Sequence, residues 1–197
     1  MPRHKSYDRL QSVERACYVF WEKGYRTLGV RALQKETGLN QFAIRTEFGG
    51  KEGLYLEALA FYSASAQTVA MPPMRSGGLN SIIEFFEQLV TEGSPTSSKW
   101  GCLMVNTGIE NAEIGSEKLE LAVQRYWSSL AEHFETALLQ SQKAGDLKAS
   151  LDITDLANGL VTAVMGIHTK NRSAGVHDAG KQMTDIVRTY LNTLRIK

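Results

Sequence analysis

The stretch from Tyr25 to Lys51, YRTLGVRALQKETGLNQFAIRTEFGGK, decides the fold. Val30 and Leu33, with the aliphatic stem of Gln34 or Lys35, make a one-sided apolar pattern about two helical turns long. Gly38 after Thr37 is a natural stop, because glycine enters the left-handed region without a Cβ clash. Leu39 is the apolar residue after the turn, and Asn40 is a good N-cap for a second helix. That helix, Gln41 to Glu47, places Ile44 and Phe48 four apart on its inward side. Gln41, Phe42, Arg45 and Thr46 are left outward. An amide, an exposed ring, a cation and a hydroxyl on one face suit the base edges and phosphates of a DNA major groove. Gly49-Gly50 ends the helix and Lys51-Glu52 opens another. The pattern is a helix-turn-helix.

Working outward, residues 1–7 read as a basic arm. From Asp8 to Lys23 the apolar positions Leu10, Val13, Cys17, Phe20 and Trp21 recur at helical spacing, and Gly24 ends this bracing helix. Cys17 on that stripe reads as a core thiol. On the other side, Lys51 begins a long helix to about Val69, followed by a loop from Met71 rich in Pro, Ser and Gly. Further helices are predicted over Asn80–Thr91, from Gly101-Cys102 to Gly115, over Ser116–Ala144, Asp152–Lys170 and Val176–Leu194. The Asp152–Lys170 segment is apolar nearly all round, which requires burial on every face. Gly159, Ala163 and Gly166 lie on one side of it and would let another helix approach. A second copy of the chain is the economical partner, with Met183, Ile186, Val187, Tyr190, Leu191 and Leu194 as a matching stripe; burial within one domain is the alternative.

The chain of 197 residues is long enough for one large or two small domains, and 43% hydrophobic with 22% charged residues is ordinary for a globular protein. The apolar runs are too short to span a membrane, and no apolar region follows the basic start to mark export. Two cysteines make no disulfide framework, so a reducing cytoplasm is the expected setting. The net charge of +1 hides an asymmetry: residues 1–51 hold ten Lys/Arg against five Asp/Glu, and the remainder twelve against sixteen. A basic front end on an acidic body fits a phosphate-contacting module joined to a regulatory one.

Three patterns carry a family resemblance: T-x-x-V-x-x-L-x-x-x-T-G-L-N from Thr27, then I-x-x-x-F from Ile44, then G-x-K-E-x-L from Gly49. Together they resemble the DNA-binding domain of the tetracycline-repressor (TetR-like) family. Gly101 to Glu110, GCLMVNTGIE, is similar to a segment of one subgroup of that family. The resemblance implies an all-α fold, with a three-helix helix-turn-helix DNA-binding domain at 1–50 and about six helices at 51–197 for ligand binding and dimerisation. It further implies a homodimer joined through the last two helices, a double-stranded DNA operator and a small-molecule effector. Carried over by position, Thr27, Asn40, Gln41, Phe42, Ala43, Arg45, Thr46 and Lys51 are the DNA-binding candidates. Asn40 and Lys51 match phosphate contacts, and Gln41 and Phe42 match positions near base edges. Arg45 replaces a tyrosine common in the family, and Ala43 could meet a thymine methyl. Glu47, Ala43 and Gln34 depart from the family's pattern. A helical small-molecule-binding protein without specific DNA binding is one rival reading, and a helical enzyme using the same cavity is the other.

The second site expected is a cavity. Phe85, Phe86, Leu89, Trp100, Met104, Tyr126, Trp127, Phe134 and Met165 supply large apolar side chains, and Asn106, Glu110, His133 and His168 supply polar ones in the same helices. Cys102 joins them with two readings open: at a helix N-terminus beside Lys99 its thiol would favour the thiolate, or it is a small buried thiol packed under the preceding helix and inert. No P-loop, G-x-S-x-G, G-x-G-x-x-G, H-E-x-x-H or C-x-x-C occurs, so neither an enzyme, a metal site nor a cofactor is expected.

Overall fold

A computed structural model describes residues 7–196; the arm expected at the N-terminus lies almost wholly outside the described residues. The described residues form nine α-helices. The first three are α1 (Arg9–Lys23), α2 (Val30–Thr37) and α3 (Gln41–Glu47). The long α4 (Lys51–Val69) leads through a 3-10 turn (Pro72–Arg75) to α5 (Gly78–Gln88), α6 (Leu103–Ile114), α7 (Glu117–Lys143), α8 (Ile153–Ala174) and α9 (Lys181–Thr193).

Local chemistry sets these boundaries. Asp8, Asn40, Ser116 and Asp152 each cap a helix with a side-chain oxygen that accepts a backbone N–H near the first turn. Gly38 ends α2 at φ 75°, in the left-handed region. Val13, Ala16, Cys17, Phe20 and Trp21 of α1 are buried, whereas Leu10 is 67% exposed. Periodicity finds the stripe on α1 but not where its neighbours stop covering it.

α1 packs along α4 and α2, and its start is tied to the far end of the small domain: the Arg9 guanidinium lies 4.4 Å over the Phe48 ring and donates to Glu57. In the larger part, α7 packs against α5, α6 and α8, and Phe85, Phe86 and Phe134 form an aromatic cluster between α5 and α7. Two corrections concern the last helices. α9 begins five residues later than its apolar pattern predicts, because the Asn171 side chain donates to His177 O and accepts from Gly180 N, holding an irregular turn. α8 is not apolar all round: Ala157, Leu160, Val161, Val164 and Ile167 face the core, while Thr154, Asn158, Thr162 and Thr169 face out.

Candidate nucleic-acid interface and effector cavity

α3 projects the expected face. Gln41, Phe42, Arg45 and Thr46 are exposed, and Phe42 is 76% exposed, a large ring with no cover from the chain itself. Ile44 and Phe48 are buried beneath. The Asn40 side chain accepts from the Ala43 N–H at 2.8 Å. Glu47 is not a loose acid on this face, since it interacts electrostatically with Tyr7 and Arg9. Lys51, at the first position of α4, is half-buried with its ammonium 4.2 Å over the Tyr25 ring, and burial lowers its pKa.

Behind this face the two parts of the chain are joined by hydrogen bonds rather than by a linker alone. The Glu110 carboxylate on α6 accepts from the main-chain N–H groups of Arg26 at 2.8 Å and Tyr25 at 3.3 Å, in the turn before α2. Arg26 also pairs with Glu113. Gly24, at φ 82°, is needed for this approach, because a Cβ there would stand 2.6 Å from a Glu110 oxygen. Trp21 of α1 donates its indole N–H to Gly101 O at 3.0 Å. The Arg172 guanidinium of α8 donates to Trp21 O at 2.9 Å and Trp100 O at 3.1 Å. Tyr55 on α4 shares a hydrogen bond of 2.6 Å with Thr107 on α6. α6 therefore grips α1, the turn after it, and α4.

A cavity of about 160 Å³ lies against this joint. Its wall takes Cys17, Tyr18 and Trp21 from α1, Phe61 and Tyr62 from α4, Phe85 and Leu89 at α5, Tyr126 from α7, and Val164 and His168 from α8. A second hollow of about 230 Å³ shares Val69, Ala70, Phe85, Pro95 and Thr96 with it. Burial pushes the Cys17 thiol up to about 12 and the Tyr62 and Tyr126 hydroxyls well above their ordinary values, so all three are neutral. Burial also pushes His168 down to about 4. His168 Nδ1 is buried with no hydrogen-bond partner among the described residues. A polar atom left so costs about 1–3 kcal/mol.

Comparison with known proteins places this architecture. The family described as bacterial regulatory proteins of the tetR family matches residues 13–58, and the tetracyclin repressor-like C-terminal domain matches residues 78–187. The chain belongs to the TetR family. The HTH-type transcriptional regulator YezE of Bacillus subtilis is 27% identical over 166 residues, covering 81% of this chain and 84% of YezE. A TetR-family regulator from Cytophaga hutchinsonii superposes with a TM-score of 0.84 at 17% identity, over 96% of this chain and 95% of its own. CifR, a TetR-family regulator solved with a 26-base-pair double-strand operator DNA, superposes with a TM-score of 0.73 at 22% identity, over 98% and 99% of the two chains.

In this TetR-family chain several expected site residues fall elsewhere. Ala43 is buried at 4% exposure inside the small domain, so it offers no methyl contact to DNA. The Thr46 hydroxyl donates to Phe42 O at 2.8 Å, and that of Thr27 to the main chain at Lys23 and Gly24. Of the expected effector contacts, Phe85, Leu89, Tyr126 and His168 line the cavity. Phe86 and Phe134 instead stack on each other in the core, with ring centroids 5.9 Å apart. Trp100 packs edge-on against Trp21, and Trp127 against Tyr126. Asn106 donates to Trp100 O at 3.0 Å, and Glu110 holds the turn before α2. His133 pairs with Ser129 O on its own helix at 2.7 Å. Met104 lines a different groove between α4 and α7, and Met165 is a half-buried residue outside the cavity wall.

Cys102 is buried behind the wall and accepts from the Tyr62 hydroxyl at 3.2 Å. Burial raises its pKa despite that hydrogen bond and those from Met104 and Val105 N–H, so of the two readings the structure favours the buried neutral thiol over the thiolate. Desolvation outweighs the helix N-terminus here. Sequence reasoning missed Trp21, Cys17 and Tyr18, which come from the DNA-binding domain. Nothing in the sequence sets them apart, because Cys17 and Trp21 lie on the same apolar stripe as the core positions Val13 and Phe20.

Proposed function

We propose that this TetR-family regulator binds a pseudo-palindromic DNA operator as a homodimer and releases it when a small molecule occupies the cavity beside α1. Repression is the mode implied, and a cytoplasmic location follows from it. The observation that carries the reading is the double use of α1. One side of it packs on α2 and α4, the two helices against which α3 rests with Gln41, Phe42 and Arg45 outward, while Cys17 and Trp21 form part of the cavity wall.

A ligand pressing on Trp21 acts on the helix that holds the DNA-reading domain. It also acts on the Trp21–Gly101 and Arg172–Trp21 hydrogen bonds that tie this helix to the segment just before α6 and to α8. Occupancy thereby changes the spacing of the two reading helices, and two half-sites one helical turn apart no longer fit. The same reading divides the chain at 50/51, where α4 opens, and assigns Gly101–Thr107 to the family subgroup with a Gly-Cys-Leu-x-Val-Asn-Thr segment.

The dimer is assigned to the outward side of α8 and to α9. A Cβ added at Gly159 or Gly166 would meet nothing within 4 Å, and Met183, Ile186 and Tyr190 are exposed on α9. Selection of bound sequences from a random DNA pool, followed by mobility shifts with the selected duplex, tests the reading. A two-fold symmetric consensus is expected, with affinity lost in Arg45→Ala. No enrichment, or binding equal on all sequences, would overturn it.

A further inference from the structure

We propose that the effector cavity takes a neutral, single-ring aromatic molecule carrying one hydrogen-bonding group, with the His168 imidazole as its polar anchor. The proposal rests on the reading of this cavity as the effector site and names the chemistry that the site would accept.

Size comes first. A cavity of about 160 Å³ is close to the ~150 Å³ of an apolar engineered cavity that binds benzene, so one ring fills it and a larger guest would have to extend into the adjoining hollow. Charge is the second limit. The residues lining the wall include no Asp, Glu, Lys or Arg. Cys17, Tyr62 and Tyr126 are held neutral by burial. A carboxylate or ammonium entering here would give up its water with no opposite charge to meet.

Shape follows from the rings. Trp21, Tyr62 and Tyr126 stand at angles to one another, with Trp21 edge-on to Tyr62 at 5.1 Å and Tyr62 tilted against Tyr126 at 6.1 Å. Such walls offer both faces and edges to an aromatic guest.

The anchor is singled out by elimination of the other polar groups. The Tyr62 hydroxyl donates to Cys102, and Tyr126 hydrogen-bonds the same thiol. Tyr18 and Ser65 are exposed at the rim, and the Thr96 hydroxyl hydrogen-bonds that of Ser94 at 3.1 Å. Among the buried side-chain polar atoms of the described residues that lack a hydrogen-bond partner, only His168 Nδ1 belongs to this wall. A neutral imidazole has one N–H to give and one nitrogen to accept. A phenol or a small carbonyl compound meets that need, and a plain hydrocarbon leaves it unmet.

Titration calorimetry on the full chain with p-cresol, toluene and benzoate tests this, in the parent and in His168→Leu and His168→Asn. In the parent, p-cresol is expected to bind about tenfold tighter than toluene, the worth of one hydrogen bond, with no heat from benzoate. His168→Leu should abolish the preference, and His168→Asn, which keeps a donor and an acceptor, should restore part of it. Equal affinity for cresol and toluene in the parent, tighter binding of benzoate, or a preference that survives in His168→Leu would overturn the proposal. Because calorimetry uses no DNA, its outcome is independent of the regulator reading. A parent that binds p-cresol yet holds its selected DNA unchanged in a mobility shift would instead contradict release by cavity occupancy.

Discussion

The DNA-reading face and the cavity are built in opposite ways. α3 is seven residues long, its cap lies in the preceding residue, and its outward side chains make few contacts with the rest of the chain. The cavity draws on α1, α4, α5, α7 and α8, so its residues are scattered from Cys17 to His168. At the first site the side chains are free to meet a partner and contribute little to folding. At the second, the side chains that would meet a ligand also hold the helices together. Stability and recognition are therefore separable at α3 and entangled at the cavity.

The largest test of that contrast is Trp21→Ala. It removes a nearly buried ring and the hydrogen bond to Gly101, and should destabilise the protein by about 3–5 kcal/mol in denaturant titration. Its DNA affinity should fall as well, because the joint to the segment before α6 is lost. A surface-like loss below about 0.5 kcal/mol would erase the distinction between the two regions.

Arg45→Ala makes the opposite prediction. DNA binding should weaken by about 1–3 kcal/mol while the unfolding midpoint stays put. If Arg45 meets only phosphate, the loss should be uniform across sequences and the salt slope should fall by about one unit.

The His168 prediction sharpens the comparison through pH. Folding lowers its pKa from 6.5 to about 4, so between those values the unfolded chain holds a proton that the folded chain refuses. Stability then rises with pH in this window and falls as pH drops through 6.5 toward 4. The loss from pH 7 to pH 5 should be about 2 kcal/mol greater in the parent than in His168→Leu. Identical pH profiles would remove His168 from the buried wall.

The smallest effect is expected at Thr46→Ala. Its hydroxyl is already bonded to Phe42 O, so DNA affinity measured by mobility shift should change by less than about 0.5 kcal/mol. A loss as large as that of Arg45→Ala would mean that the hydroxyl turns outward on DNA.

The same contrast explains what the sequence disclosed. Asn40, Gly38 and Gly49-Gly50 announce the bounds of α2 and α3 through local chemistry, so those limits were legible to the residue, as were Ser116 at α7 and Gly115 before it. Ala43 was misread because a seven-residue helix hides nearly half its circumference, and a small residue can face either way. The start of α9 was misplaced because an Asn171 side chain, not apolar spacing, sets it.

The cavity was read from composition. Large rings in the right helices identified that a cavity could exist, but whether a ring lines the space or fills it depends on tertiary packing. Phe85 faces the space, while its neighbour Phe86 is locked against Phe134. Glu110 is the sharpest case. Nothing in its spacing says that the carboxylate leaves the ligand domain to cap the Tyr25–Arg26 amides.

Filling the space beside α1 should by itself weaken DNA binding. Ala66 lines the cavity from α4, and Ala66→Phe would place a ring in it without any added ligand. The decisive measurement is the affinity of Ala66→Phe for a duplex selected by the parent, with the folded state of both checked by circular dichroism. DNA binding about tenfold weaker is expected in a folded variant. Unchanged affinity in a folded protein whose cavity no longer admits p-cresol would contradict it.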